Sequence, residues 1–527
     1  MDERRKKYNK ILKKYFGHSC LKNEQFKIID RTVHRKGDTL AILATGFGKS
    51  ICFQLPFLIT KKCVIVVSPL IALMNDQKIK LEKLKIPVCC MNSFNEDKRN
   101  DWNRLLMGDY KIVYITPEYI ISCKSVIKKL VNQDGICCFA IDESHCISSW
   151  SDISFRPEYK ELNVLRELAP SIPIMALTAT ASPKVQKDII RCLRLVRYKN
   201  IQSGFDRPNL KLIIESKSTE KNLAFELRPI LKGHENESII VYTRTRRAAD
   251  KLALKITSWG MPALAYHANM NRDDRTNVQQ KFTDGEINCI VATIAFGMGI
   301  DNPQIRLIVH YGCPSDIESY YQEIGRAGRD GMPSICVLMH SPQDFGLSRY
   351  HLQEIEDPEY KKYKAEQINN MEAYVHTHAC RRKLLLEHFG EEYPKNNCNN
   401  CDVCCRKTKM IDVTAEAVIM LSLIKELHPA TFGSTTLVGI LRGSNAKNIT
   451  MAMKKLTSYN VGKKHDEKWW KSLIKKLVAK DLLEEEYFDG KFGGSIIRQS
   501  VQGLDWYAEV SKSISTNKVT GFERILI

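Results

Sequence analysis

The chain has 527 residues, 43% hydrophobic and 27% charged, with 80 Lys and Arg against 60 Asp and Glu for a formal charge of +20. That length exceeds what one hydrophobic core serves, so three or four domains are expected. The basic surplus points to a polyanionic partner, and no apolar run approaches the ~18 residues of a helical membrane span. The N-terminal stretch MDERRKKYNKILKKYFG is charged and lacks the apolar centre of a signal peptide, so the chain is expected to stay inside a cell. Eighteen cysteines in such a chain argue against a disulfide framework.

Up to about residue 340, short β-branched runs alternate with longer amphipathic segments. The strand candidates are CVIVVSPL, KIVYITPE, ICCFAIDESH, IPIMALTAT, SIIVYT, NCIVATIAF and IRLIVHY. Continuous apolar runs separated by helical stretches predict buried parallel strands in βαβ units. Two such sets flank GFDRPNL at Gly204–Leu210, which predicts two α/β lobes joined by a short linker. Beyond residue 345 the pattern turns helical, with a cysteine patch at 398–405 and then a lysine-rich region.

In the first lobe, Leu40–Leu43 reads as a strand, ATGFG as a glycine loop and KSICFQLPFLI as the following helix. Backbone N–H groups of such a loop and helix N-terminus face an anion. Thr45, Gly46 and Gly48 would form the cradle, Lys49 would reach the β/γ-phosphates of ATP, and the Ser50 hydroxyl would hold Mg²⁺. The general phosphate-loop pattern asks for glycine at position 43, where Leu43 stands. In FAIDESH, Asp142 follows an apolar strand and is placed to hold Mg²⁺, with Glu143 placed to orient and deprotonate water. YYQEIGRAGRDG supplies Gln322, Arg326 and Arg329 from the second lobe. Arginines three apart are expected on one helical face, from which they would reach a γ-phosphate; such a finger is worth ~10³–10⁵ in rate.

With these motifs the sequence resembles the RecQ helicases of helicase superfamily 2, over roughly residues 10–500. That superfamily's first motif is A-x-x-G-x-G-K-[ST], which removes the need for glycine at 43. The resemblance implies RecA-like lobes, ATP-driven unwinding with 3′→5′ polarity, and single-stranded and duplex or branched DNA as partners. It implies that Gln25, in FGHSCLKNEQFKII, reads the adenine edge, with Lys22 where the family has a stacking arginine; lysine lacks that planar surface. VVSPLIALMNDQ, ALTATA and VATIAFGMGIDNP are similar to motifs Ia, III and V, so Ser68, Thr178 and Thr293 would face nucleic acid or couple it to the ATP site. HCISSWSDISFRPEY is similar to the aromatic-rich loop, and Trp150, Phe155 and Arg156 would engage a single strand, ~1–3 kcal/mol per stacked base. Four residues separate Trp150 from Phe155, one more than in the family pattern.

Cys380, Cys398, Cys401 and Cys404 have the spacing of a tetrahedral S₄ site for Zn²⁺, and the family carries a structural zinc of this layout. Cys405 is a fifth thiol expected to point away. From about residue 411 the order helix, helix, helix, hairpin predicts a winged helix, with ten lysines between Asn445 and Lys480, Lys463 and Lys464 among them, opposed by Asp466 and Glu467. A duplex is the expected partner of this face, and Phe492 near the hairpin tip is a candidate wedge. The expected division is a first lobe over 1–205, a second over 206–345, a helical zinc-binding subdomain over 346–408 and a winged-helix domain over 409–527. The end at Ile527 leaves no room for the further helical domain of many relatives, so narrower substrate choice is expected. The nucleus or a cytoplasmic site of DNA metabolism follows as location; protein partners are not implied. An RNA helicase and a non-catalytic DNA-binding scaffold are the alternative readings, the latter requiring a broken site.

Overall fold

The computed structural model describes residues 2–92, 97–147, 157–218, 222–294, 296, 302–406, 412–488, 494–515 and 525. Trp150, Phe155, Arg156 and Phe492 lie outside the described residues. The chain forms two compact units, 1–406 and 407–527.

The first unit holds two parallel sheets. Strands β1 (Thr39–Ile42), β2 (Cys63–Val67), β3 (Val88–Met91), β4 (Ile112–Ile115), β5 (Ile136–Ile141), β6 (Ile174–Thr178) and β7 (Lys199–Gln202) are ordered β3-β4-β2-β5-β6-β1-β7. Strands β8 (Leu210–Ser216), β9 (Ser238–Thr243), β10 (Ala263–Tyr266), β11 (Cys289–Ala292), β12 (Ile305–Tyr311) and β13 (Ser334–His340) follow as β10-β11-β9-β12-β13-β8. Successive side chains of a strand point to opposite faces, so a strand buried on both faces must be apolar throughout. Leu40, Ile42, Ile65 and Val67 pack on one face of the first sheet, Ala41, Val64 and Val66 on the other. The second sheet divides likewise, Ile240 and Tyr242 against Ile239 and Val241.

The seven strand candidates and the Leu40–Leu43 strand are all present in the two sheets, which hold five more: β3, β7, β8, β10 and β13. Four of these five lie at sheet ends. After β13, the helices Pro358–His376 and Arg381–His388 share apolar contacts with both lobes. Met371, Tyr374 and Val375 join the second lobe's core, while Leu386 and Phe389 join the first's.

The second unit has helices Thr414–Leu427, Ser434–Leu441 and Glu467–Ala479, then an antiparallel hairpin β14 (Leu483–Phe488) and β15 (Gly494–Gln499), then helix Val501–Ser515. Phe432 adds an antiparallel bridge to Ile497, and Trp470, fully buried, donates its indole N–H to Gly462 O at 2.7 Å. Helices, hairpin and bridge give the expected winged-helix arrangement. No helix among the described residues is long and apolar enough to cross a membrane.

Candidate active site and zinc centre

Strand β1 delivers the chain to the glycine loop at the carboxyl edge of the first sheet, where open α/β sheets bind ligands. The loop needs glycine for space and for conformation. Gly46 and Gly48 have φ of 81° and 92°; a β-carbon on Gly46 would lie 3.1 Å from Arg329 Cγ, and one on Gly48 2.7 Å from Gln25 Nε2. Helix Lys49–Thr60 starts directly after Gly48 with no side-chain cap, so its first N–H groups face the cleft without a protein acceptor of that kind.

Strand β5 ends beside it. Asp142 N donates to Val67 O at 2.9 Å, and Glu143, at φ 47°, turns the chain sharply enough to aim its carboxylate back at the loop. Lys49 Nζ lies 3.3 Å from Glu143 Oε1, and His145 Nδ1 lies 3.4 Å from Glu143 Oε2 and 2.9 Å from Thr178 Oγ1. Burial above all, then the Glu143 charge, pushes Asp142 up to about 6. Burial acts most strongly on Glu143 too and raises it, yet Lys49 and His145 together outweigh it and hold that carboxyl below its usual range. Burial likewise lowers His145, against the pull of Glu143. Two adjacent carboxyls are thus driven apart, Asp142 upwards and Glu143 downwards, the pattern in which neighbouring acids take different roles.

The second lobe closes the cleft. Helix Ile317–Ile324 carries Gln322, and its neighbour Glu323 pairs with buried His310 at 2.8 Å. Arg326 and Arg329 are not on this helix, contrary to the expectation of one helical face: it ends at Ile324, and both arginines stand in the turns that follow, where Gly328 has φ 54°. The small residues of GRAG let the backbone leave the helix before its arginines are spaced by it. A cleft of about 400 Å³ is lined by Thr45, Gly46, Gly48, Lys49, Ser50, Asp142, Glu143, Gln322, Arg326 and Arg329 together. Phe16, His18, Gln54, Asp76 and Gln77 line it too and were missed, although Phe16 and His18 open the quoted FGHSC stretch.

The remaining expected residues are placed differently. Gln25 is buried and spends its amide on the loop, donating to Phe47 O at 3.1 Å and Gly48 O at 3.2 Å. Lys22 Nζ donates to Phe47 O at 3.1 Å and sits 4.2 Å from the centre of the Phe47 ring. Ser68, Thr178 and Thr293 are all buried. Thr178 fits coupling rather than direct contact with a strand, because its hydroxyl bonds both His145 and Thr180 O.

The sulfurs of Cys380, Cys398, Cys401 and Cys404 all lie within 4.8 Å of one another. Thiolates ~2.3 Å from a tetrahedral zinc stand ~3.8 Å apart, so the cluster fits that ion after slight contraction and leaves no open position. Backbone N–H groups point at three of the sulfurs: Asn400 at Cys398, Cys404 at Cys401 and Cys398 at Cys404, each 3.4 Å. Beneath them Arg381 makes a buried two-pronged pair with Asp402, at 3.0 and 3.2 Å. Cys405 is exposed, its thiol 3.5 Å from Asn399 O and away from the cluster. In the other unit Lys463 and Lys464 are exposed just before helix Glu467–Ala479. Nearby, Trp469 stacks on His465 at 3.6 Å.

Two RecA-type sheets sharing one phosphate-loop cleft, with arginines from the second facing the first, define a nucleotide-driven helicase motor. The chain matches the DEAD/DEAH box helicase domain over residues 22–189, the helicase conserved C-terminal domain over 220–331, RecQ zinc-binding over 342–405 and the RQC domain over 407–503. It is 36% identical to the ATP-dependent DNA helicase RecQ of Haemophilus influenzae over 89% of this chain and 75% of that one. It is 39% identical to a putative ATP-dependent RNA helicase of Acanthamoeba polyphaga mimivirus over 96% and 93%. Against the mouse bifunctional 3′-5′ exonuclease/ATP-dependent helicase WRN it is 36% identical and spans 37% of that protein. Among solved structures, the helicase MrfA bound to DNA aligns with TM-score 0.53 at 17% identity, over 70% of this chain and 54% of that one, a likeness of fold. This chain belongs to the RecQ family of ATP-dependent helicases in superfamily 2.

Proposed function

We propose that this protein is a 3′→5′ DNA helicase in which ATP hydrolysis between the lobes drives movement along one strand. The meeting of Lys49, Glu143, Arg326 and Arg329 in one cleft carries the reading. The loop amides and Lys49 bind the β- and γ-phosphates, and Glu143, kept ionised, accepts the proton of the attacking water. Arg326 and Arg329 oppose the charge that develops on the γ-phosphoryl group, and Gln322 orients the water beside them. Magnesium, held by Ser50 and Asp142, would supply charge neutralisation on the phosphates. Zinc in the four-cysteine site would supply folding energy, since no coordination position is left for chemistry.

The working division is lobes over 1–205 and 206–345, a zinc-binding subdomain over 346–408 and a winged-helix domain over 409–527. Lys463 and Lys464 are assigned to duplex phosphates, and Trp150, Phe155 and Arg156 to a single strand. The substrate is single-stranded DNA flanked by duplex or branched DNA. A second reading, RNA unwinding, has the name of the mimivirus relative in its favour.

Steady-state ATP turnover without nucleic acid, with single-stranded DNA and with single-stranded RNA tests both, using Lys49→Ala as blank. Stimulation by DNA above RNA is expected, followed by displacement of a strand ahead of a 3′ tail. Equal or greater stimulation by RNA overturns the DNA assignment, and no turnover at all returns the scaffold reading.

A further inference from the structure

The linker between the lobes carries a cation with no carboxylate partner among the described residues. Arg207, half-buried, gives both terminal nitrogens to backbone carbonyls. Nη1 donates to Thr45 O at 3.3 Å and Gly325 O at 3.1 Å; Nη2 donates to Ala327 O at 2.8 Å and Gly328 O at 2.9 Å. Thr45 belongs to the phosphate loop of one lobe, and Gly325, Ala327 and Gly328 to the turns that hold Arg326 and Arg329 in the other. The backbone at Arg207 is itself fixed. Arg382 donates to Arg207 O and Leu210 O, each at 2.6 Å, and pairs with Asp206 at 2.7 Å. The Phe205 ring stacks on Phe389 at 4.6 Å, and Phe205 O accepts from Tyr321 at 2.6 Å.

A charged donor satisfied solely by carbonyls of two separate elements binds best when both are in place. If the lobes part, the Thr45 bond is lost while the three bonds to the turn can travel with it. We propose that Arg207 is a positioning residue for ATP hydrolysis, a clasp that registers the arginine-bearing turn of the second lobe against the phosphate loop of the first. This rests on the proposed ATPase reading of the cleft. Lysine cannot substitute, because one ammonium cannot span acceptors on both sides of a planar fork. Arg207 makes no bond to Lys49 and meets the phosphate loop at one carbonyl alone, Thr45 O, through the longest of its four bonds, so the clasp acts on turnover far more than on affinity.

The test uses the full chain with Arg207→Ala and Arg207→Lys, measuring kcat and KM for ATP at saturating single-stranded DNA. Equilibrium binding of a fluorescent ADP derivative is measured alongside. Both variants are expected to lose about 10- to 100-fold in kcat, with KM and ADP binding within about twofold of wild type. The inference is overturned if Arg207→Lys keeps wild-type kcat, which would reduce the role to bulk charge. It is equally overturned if kcat falls only in step with ADP binding, the mark of a collapsed site. Should Arg207→Ala fail to fold, the lysine variant decides by the same split. A wild-type protein with no ATP turnover defeats the ATPase reading instead, so the two failures are distinct.

Discussion

The Lys49 ammonium and the Glu143 carboxylate face each other at 3.3 Å, each largely shielded from water. In this cleft each is a counter-charge to the other, and the proposed mechanism gives the pair two jobs: Lys49 for phosphate, Glu143 for water. A triphosphate brings more negative charge than Glu143 does. On the proposed reading Lys49 turns to the phosphates when nucleotide binds, and His145 and Arg326, which also favour the ionised Glu143, stay beside the carboxylate.

Glu143→Gln keeps the shape of this arrangement and removes the proton acceptor. Turnover is expected to fall by ~10²–10⁴-fold while nucleotide binding persists. Lys49→Ala is expected to abolish hydrolysis and leave DNA binding intact. Stopped-flow phosphate release on purified variants measures the first effect, and strand-binding anisotropy the second; a Glu143→Gln protein turning over at the wild-type rate removes Glu143 from its role.

Thr178 ends strand β6 with its hydroxyl 2.9 Å from His145 Nδ1, and His145 in turn neighbours Glu143. That chain joins the end of β6 to the carboxylate proposed to act on water. Thr178→Val deletes the hydroxyl with little change of volume. DNA-stimulated turnover is expected to drop about tenfold and basal turnover to stay within about twofold. An equal loss in both rates would make Thr178 structural and not a relay.

The strands legible in the sequence were those buried on both faces, whose residues must all be apolar. Among the others, the end strands β7 and β8 escape that demand, β7 reading KNIQ with one buried residue and β8 alternating, whereas β3 and β13 are buried almost throughout and exposure does not explain them. The metal cluster and the motif carboxylates were legible because their chemistry fixes residue type and spacing. Arg207 was not, because its partners are carbonyls 118 to 162 residues away and a carbonyl has no residue type. The helical placement of Arg326 and Arg329 failed for a related reason: a spacing of three fits a turn as well as a helix, and the glycines decide between them.

Arg381 and Asp402 are both about 5% exposed and bond in two places directly under the cysteine cluster. Arg381→Leu leaves buried Asp402 with only the longer 3.7 Å contact to exposed Arg406, so a loss approaching ~3–5 kcal/mol is expected. Cys401→Ser is expected to lose the zinc and yield unstable protein. Thermal unfolding followed by fluorescence, with zinc measured by atomic absorption, checks both. A metal-free Cys401→Ser protein that stays folded and active would refute the structural role of the site.

Lys463 and Lys464 are exposed side by side ahead of helix Glu467–Ala479, with no ion-pair partner among the described residues. Each phosphate neutralised on a duplex releases condensed counterions, which sets the salt slope at ~0.9 per contact. Replacing both with alanine should flatten the plot of log affinity against log salt by about 1.8. Across a fourfold rise in salt, wild-type affinity for duplex should then fall about tenfold more than that of the double variant. The loss should be the same for any duplex sequence, because phosphate contacts carry no base information. Fluorescence anisotropy at several salt concentrations on two unrelated duplexes measures this. An unchanged slope would show these lysines to be a solvated face, and a loss confined to one duplex would show base recognition instead.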